Sequence, residues 1–569
     1  MVDVSRPAFP ARGFGLGLSR VAIKPEMALA AGLLGLVVLL SAWPLARLLA
    51  LAFSPGDAGE FLGTLRDGWQ SRAVQRAAAN TLTASLGATA IATVSGTGLA
   101  LLLGLGRFRG HTAASFLVLS PLLVPSQIMA LAWIELFGLA WPGGGRPLYG
   151  GAGIAFLLGL ESMPLVFLAV RASLALLPGD LVEAARICGV SRRRTVARIV
   201  LPLLVPAAAG GAALAFAASI GNFGIPALLG IPGRFPMLTT LVYQRLNGFG
   251  PSVLAGVAVI ALILVALTLA ALLLRFAVLR TLAVPVERTS APFAGVFGPA
   301  PRPVAEAIVW SFALLVAVVP MGALLVGSLA PALGVAPTLG TLSGDNYAAI
   351  WASPAIRRAL VNSAALGAAM ALLCGALALP LAYLARLRRL PAARLAGTIA
   401  EIPFAVPGTV LALALILVFL PPLPVLRISL YATPAILLLA YVVRFLPLVL
   451  APVSSALSTL DPALDDAGRV SGVSVWRRLA FIAAPLAAPA TAAGMLVAAL
   501  TAFNELTVSV LLWSAGTETV GVMVFSLQYE GNSGQAAALS VVSIGVVLAL
   551  ALMFDRLGRR TPAVVPWRG

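Results

Sequence analysis

Apolar runs of 20 or more residues recur along the whole of this chain. A backbone in hydrocarbon must satisfy its own N–H and C=O groups, so runs of about 20 residues read as membrane-spanning helices. Twelve are predicted, at 27–53, 78–106, 116–140, 151–177, 204–229, 251–279, 306–330, 359–385, 396–420, 431–457, 486–513 and 537–555. Only 10% of the 569 residues are charged, well under half the usual share, which excludes a soluble globular enzyme. The first run follows Arg6, Arg12, Arg20 and Lys24. It is too long for a cleaved signal peptide and reads as a retained signal anchor.

The net charge of +18 comes almost entirely from arginine. With twelve spans both termini lie on one side of the membrane. That side collects 26 of the 38 lysines and arginines, against nine on the other. Basic residues concentrate on the cytoplasmic side, so both termini are predicted there. Membrane orientation accounts for the charge, and no nucleic acid is invoked.

Composition removes most chemistry. His111 is the single histidine, and Cys188 and Cys374 are the two cysteines, far apart in sequence. They build neither a zinc site nor a CxxC pair, and both cysteines read as small buried apolar residues. Lys24 is the only lysine and follows no glycine-rich loop, so the chain has no P-loop for ATP. No catalytic, metal-binding or cofactor-binding residue is expected.

The chain reads as two copies of a six-helix unit, offset by about 282 residues. Asn80-Thr81 matches Asn362-Ser363, and SPLLVPSQIMALA (120–132) matches IPFAVPGTVLALA (402–414), with Pro121 on Pro403 and Pro125 on Pro407. GRFRG (106–110) answers ARLRRL (385–390). An even number of spans per copy makes the copies parallel, related by an axis along the membrane normal. The expected organisation is a basic N-terminal segment (1–26), a first transmembrane domain (27–279), a proline-rich linker (280–305), a second transmembrane domain (306–555) and a tail (556–569).

The longest predicted cytoplasmic loop of each copy has one grammar. In PGDLVEAARICGVSRRRTVARIVLP (178–202), Asp180 caps a helix with Glu183 three residues on, Gly189 breaks it, and Ser191 starts a second helix that stops at Pro202. In LDPALDDAGRVSGVSVWRRLAFIAAP (460–485), Asp461 is the cap, Gly472 the break and Ser474 the new start. Each loop is a compact knob of two short helices meeting at a glycine elbow.

The spacing E-A-A-x3-G-x9-I-x-L-P is met at every position by Glu183, Ala184, Ala185, Gly189, Ile199, Leu201 and Pro202. In the second copy Asp466, Gly468 and Ala484 replace the glutamate, an alanine and the leucine, while Ala467, Gly472, Ile482 and Pro485 match. This resembles the cytoplasmic signature of permease subunits of binding-protein-dependent ABC importers. The resemblance implies an all-α, polytopic inner-membrane protein of two tandem six-helix permease repeats, multi-pass in a bacterial cell. It implies that the knobs are coupling loops docking on two cytoplasmic ABC ATPase subunits. A periplasmic solute-binding protein would deliver the solute to loops near 230–250 and 514–536. A fused permease of this kind is similar to importers of ferric iron, thiamine and aminoalkylphosphonate, with polyamine a further alternative. FNELTVSVLLWSAGTETVGVMVFSLQ (503–528) looks most like the ferric-iron branch.

Ionisable groups at membrane depth mark candidate translocation pathways. Glu161 and Arg444 fall near mid-span, and Asn222, Asn504 and Glu505 fall within the fifth helix of each copy. Asn222 and Asn504 are one repeat apart, and Glu161 lies within one residue of the repeat partner of Arg444. Those two are expected to pair, directly or through solute, in at least one transport state. The alternative for each residue is a structural hydrogen bond or a side chain reaching the interface.

A twelve-helix secondary transporter of the major facilitator type is the competing class, suggested by FDRLGRR (554–560). That segment follows the last helix, and GRFRGHT (106–112) lacks the aspartate the facilitator signature needs. A facilitator also has no use for two capped knobs. An intramembrane enzyme would need a metal cluster, a carboxylate pair or a histidine-bearing nucleophile, and the sequence offers none.

Overall fold

The computed structural model describes residues 25–557 except 56–58, 106–108, 141–146, 178, 247, 249–252, 283–301, 332–337, 339 and 424–426. The basic N-terminal flank, most of the linker and the end of the tail lie outside the described residues. Ten described helices are long and apolar enough to cross a membrane, or up to twelve if each of two bent pairs is one crossing. In chain order the first repeat holds Pro25–Ala52, Arg72–Leu105, the bent pair His111–Leu122 with Ser126–Ala140, Gly151–Ala175, Arg192–Gly221 and Val253–Thr281. The second holds Pro303–Leu329, Pro354–Arg386, the bent pair Pro391–Ala405 with Gly408–Phe419, Pro434–Ser458, Val475–Phe503 and Ser533–Met553. These are called the first to twelfth spans below.

Each expected run is helical, with three corrections. The runs 116–140 and 396–420 are not straight: they bend by 103° and 111°. The prolines in register explain this, because the ring of Pro125 or Pro407 excludes the residue before it from the α conformation. Val406 is accordingly extended, with ψ 141°. Second, Pro202 and Pro485 do not stop the knob helices. Each follows a π-helical turn, Val196–Val200 or Leu479–Ala483, and lies at the start of the next α segment. The wider turn already breaks the α hydrogen-bond register, so the missing proline N–H falls at an interruption. Third, the fifth and eleventh helices end at Gly221 and Phe503 rather than running to 229 and 513.

The repeat is visible bond by bond. Asn80 Nδ2 donates to the Pro236 carbonyl at 2.9 Å, and Asn362 Nδ2 donates to the Glu518 carbonyl at 3.0 Å. Next to them, the Leu238 N–H reaches Thr81 Oγ1 and the Val520 N–H reaches Ser363 Oγ, both at 2.9 Å. The Asn-Thr/Ser pair thus ties the second and eighth spans to the short helices Leu238–Leu246 and Val520–Tyr529. Glycines repeat too. A Cβ on Gly211 would stand 2.9 Å from the Val166 Cα, and one on Gly494 would stand 2.9 Å from the Val449 Cα. Without a hydrophobic drive between helices in lipid, such close backbone approach supplies the packing.

The two repeats exchange their leading helices. The first span packs on the ninth span of the second repeat, and the seventh packs on the third span of the first. Trp310 of the seventh span lies against Gly110, and the Arg109 N–H donates to Glu306 Oε1 at 3.2 Å. One apolar core runs through residues of both repeats.

Candidate functional site

The two knobs share one backbone design. The first helix of each, Gly179–Ile187 or Ala463–Val470, ends at a glycine with positive φ, +72° at Gly189 and +75° at Gly472. The Val190 N–H bonds back to the Ala185 carbonyl at 2.9 Å, and the Val473 N–H to the Gly468 carbonyl at 3.0 Å. That is a Schellman C-cap, in which a left-handed residue turns the chain so that orphan helix carbonyls are satisfied. A Cβ at either glycine would meet nothing within 4 Å, so the demand is on conformation alone. Ser191 and Ser474 then take extended backbone at the start of the next helix, without a side-chain capping bond. Asp461 Oδ1 accepts from the Ala463 N–H at 2.9 Å. Asp180 lies inside the first turn of its helix rather than at the cap, and Pro178 lies outside the described residues. Cys188 is exposed, contrary to expectation, because it sits on the protruding elbow; Cys374 is buried.

The signature residues distribute unevenly over the knobs. Glu183, Ala184, Gly189, Leu201 and Pro202 are exposed, Ile199 is half-buried and Ala185 is buried. Asp466, Ala467, Gly472 and Pro485 are exposed, and Gly468 and Ile482 are half-buried. The sequence motif does not contain the most telling surface. Ile187 is 86% exposed and its repeat mate Val470 is 90% exposed. Leu181 and its mate Leu464 are exposed about two helical turns earlier on the same stripe, at 44% and 51%. With Ala184 and Ala467 between them, each knob presents an uncovered apolar stripe at i, i+3 and i+6. The repeat offset applied to exposed apolar positions would have found it.

Within the membrane the repeat-equivalent positions converge in both halves, carrying different chemistry. Glu161 Oε1 accepts from Ser126 Oγ at 2.5 Å, and Oε2 accepts from Asn222 Nδ2 at 3.0 Å. In the second repeat Gly408 takes the place of Ser126, and Arg444 stands where Glu161 stood. A Cβ on Gly408 would lie 2.6 Å from Arg444 Nη1, so only glycine leaves room for the guanidinium.

Glu161 and Arg444 form no ion pair in this conformation; the expected pairing concerns at least one transport state and is left to the mutant cycle below. Repeat symmetry fixes a residue's depth, but Glu161 is satisfied inside its own half, and Arg444 faces Gly408. Arg444 Nη1 is buried without a hydrogen-bond partner, as is Asn504 Nδ2. Glu505 is consumed locally: its carboxylate accepts from the N–H groups of Val508 and Ser509 and from Ser509 Oγ. Asn222 and Asn504 sit at helix ends rather than within helices, which frees backbone for other contacts. Gln127 Nε2 donates to the Asn504 carbonyl across the repeats at 2.8 Å. Ser543 Oγ bonds to Asn504 Oδ1.

Beside this layer the rings of Phe223, Tyr243 and Phe525 form a mutual cluster across the repeats, with centroids 5.6 to 5.8 Å apart. Tyr529 stacks on Phe525 at 5.8 Å. In the loop before this helix, burial pushes the Glu518 carboxyl up, but backbone N–H groups and Arg358, 3.5 Å away, outweigh it and hold it below the usual range. Among the described residues no group of three or more His, Cys, Asp or Glu is placed to hold a metal ion.

The profile of one protein family, described as "Binding-protein-dependent transport system inner membrane component", matches residues 96–279 and 378–561. The chain is 26% identical over 427 residues to the ferric transport system permease protein FbpB of Actinobacillus pleuropneumoniae, an alignment covering 72% of this chain and 58% of that protein. It is 27% identical over 409 residues to the probable ABC transporter permease protein y4fN of Sinorhizobium fredii, covering 69% of each. Over 159 residues it is 25% identical to a putative 2-aminoethylphosphonate transport system permease protein, PhnV, of Salmonella paratyphi A, covering 28% of this chain and 58% of that one. The chain thus spans little more than half the length of the first of these relatives.

Proposed function

This chain belongs to the family of binding-protein-dependent transport system inner membrane components, and from that premise we propose that it is the transmembrane permease of an ATP-driven importer. It is a multi-pass inner-membrane protein. Each repeat supplies half of the path, and both termini are cytoplasmic. Two ATPase subunits dock on the knobs, and a periplasmic binding protein delivers solute to the loops near 230–250 and 514–536. ATP-driven closure of the ATPase pair pushes the knobs together and rocks the repeats between outward- and inward-facing states.

One observation carries this reading. The exposed stripes Leu181–Ala184–Ile187 and Leu464–Ala467–Val470 occupy the same place on two rigid, repeat-related knobs. Uncovered apolar surface on a protruding element marks a protein contact, and two equivalent copies suit two equivalent partner grooves. The family assignment sets the facilitator reading aside.

The solute we favour is ferric iron, on the resemblance of 503–528 and the iron-transport relative. An aminoalkylphosphonate is the second reading. The unpaired guanidinium nitrogen of Arg444 and amide of Asn504 are donors suited to an anionic oxygen, and a relative is named for such a solute. Thiamine and polyamine remain as further members of the same class.

The test is reconstitution. The purified chain alone should hydrolyse no ATP, and hydrolysis should appear only with an added ATPase subunit. Mass spectrometry of the solute held by the binding protein then separates iron from phosphonate. Robust hydrolysis by the chain alone would refute the reading.

A further inference from the structure

The two knobs are alike in backbone and unlike in how they are fastened. In the second, the Arg478 side chain is 2% exposed. Its Nη1 donates to Asp465 Oδ2 at 2.8 Å, and its Nη2 donates to Glu26 Oε1 at 2.8 Å. Asp465 is itself buried and accepts further from Tyr383 Oη at 2.7 Å and Arg388 Nη1 at 3.3 Å. Arg388 also reaches Asp466 on the knob surface at 3.3 Å.

Glu26 begins the first span, which belongs to the first repeat but packs on the second. The second knob is therefore bonded to helices of both repeats: Tyr383 and Arg388 from its own, Glu26 from the other. Among the described residues the first knob has no matching ion pair. The positions matching Asp465, Arg478 and Tyr383 are Val182, Thr195 and Leu101. Val182 and Val196 pack instead on an apolar cluster that includes Val309 of the seventh span, a contact without fixed direction.

We propose that Glu26 and Arg478 are positioning residues that make the first span travel with the second knob, so that the two partner-docking knobs are mechanically non-equivalent. A push on the second knob reaches the first span through a buried ion pair, whereas the first knob meets the seventh span only through an apolar cluster with no such directional tie among the described residues. This rests on the reading of the knobs as docking elements, but the tie itself is a property of the chain alone. Arg478 carries the tie because its planar guanidinium bridges two carboxylates, one bond from Nη1 to Asp465 and one from Nη2 to Glu26, which fixes orientation as well as distance. Removing Glu26 leaves Arg478 paired with Asp465, so no lone buried charge is created and the knob keeps its shape.

The experiment measures distances between spin labels in nanodiscs, with Cys188→Ser removing the exposed native thiol. One label pair, at Ala31 and Ala463, spans the tie. The other, at Ala31 and Asp180, joins the first span to the matching position of the first knob. In the chain alone, Ala31–Ala463 should give a narrow distribution that broadens at least twofold in Glu26→Ala. Glu26→Gln, isosteric with the native residue, serves the same comparison if the alanine variant accumulates poorly. With the co-purifying ATPase bound, moving from the nucleotide-free to the ATP-bound state should leave Ala31–Ala463 unchanged and shift Ala31–Asp180. An unchanged width on removing Glu26, or equal shifts of both pairs on ATP binding, would overturn the proposal. If no ATPase associates with the wild-type chain, the docking reading fails, while the nanodisc comparison still judges the tie.

Discussion

Tyr243 and Phe525 stand 282 positions apart and touch, their rings edge-to-face at 88° with centroids 5.7 Å apart. They are repeat mates: the bonds from Asn80 and Asn362, and from Thr81 and Ser363, keep the same offset through this region. A residue in contact with its own mate lies beside the pseudo-twofold axis. They lie beside the layer that holds Asn222 and Asn504, so a path running along that axis would have to pass them.

Cysteines at 243 and 525 should therefore be joined by a short thiol crosslinker in the resting protein. The crosslinked chain should keep its ATPase subunits and lose transport. Peptide mapping of the crosslink checks the geometry. Failure to crosslink in any state, with both thiols reactive, would remove these rings from the axis.

Gly189→Val and Gly472→Val each force a β-branched residue into left-handed backbone, at a cost of about 1–3 kcal/mol. Because φ and the capping bonds match in the two knobs, both variants should weaken ATPase association. Gly189→Asn should be nearly neutral, since asparagine tolerates that conformation. Co-purification yield with membrane abundance as the control distinguishes strain at the elbow from loss of insertion.

A double-mutant cycle between Glu161 and Asn222 should show coupling of about 0.5–3 kcal/mol, because the two side chains share a hydrogen bond. The cycle between Glu161 and Arg444 should be close to additive in the resting conformation. Thermal stability of Glu161→Gln, Asn222→Ala, Arg444→Gln and the double variants measures both. Strong Glu161–Arg444 coupling in the resting chain would restore the pairing expected from repeat symmetry.

What was legible in the sequence follows from which physical rule each feature obeys. The long apolar helices and the duplicated architecture could be read because apolar length and prolines in register are one-dimensional, whereas the two bent pairs leave ten crossings, or up to twelve. The glycine elbows could be read because positive φ leaves a compositional mark. The bends could have been read from Pro125 and Pro407, whose effect on the preceding residue is local. The environment of Glu161 could not, since Ser126 and Asn222 reach it from 35 and 61 residues away. Nor could Arg478, which counts as one more cytoplasmic arginine in a charge tally yet is buried between Asp465 and Glu26. Depth is a property of sequence position, whereas the direction a side chain faces is settled by partners elsewhere in the chain.

The central claim is that the two knobs are docking surfaces for ATPase subunits, and the exposed mates Ile187 and Val470 test it most directly. Aspartate at either position adds a charge to an apolar contact that must be dried on docking. Co-purification of the ATPase subunit that accompanies the wild-type chain should fall about tenfold in Ile187→Asp and in Val470→Asp. It should be lost in the double variant, with membrane abundance unchanged. A double variant that retains its ATPase at wild-type stoichiometry would contradict the account.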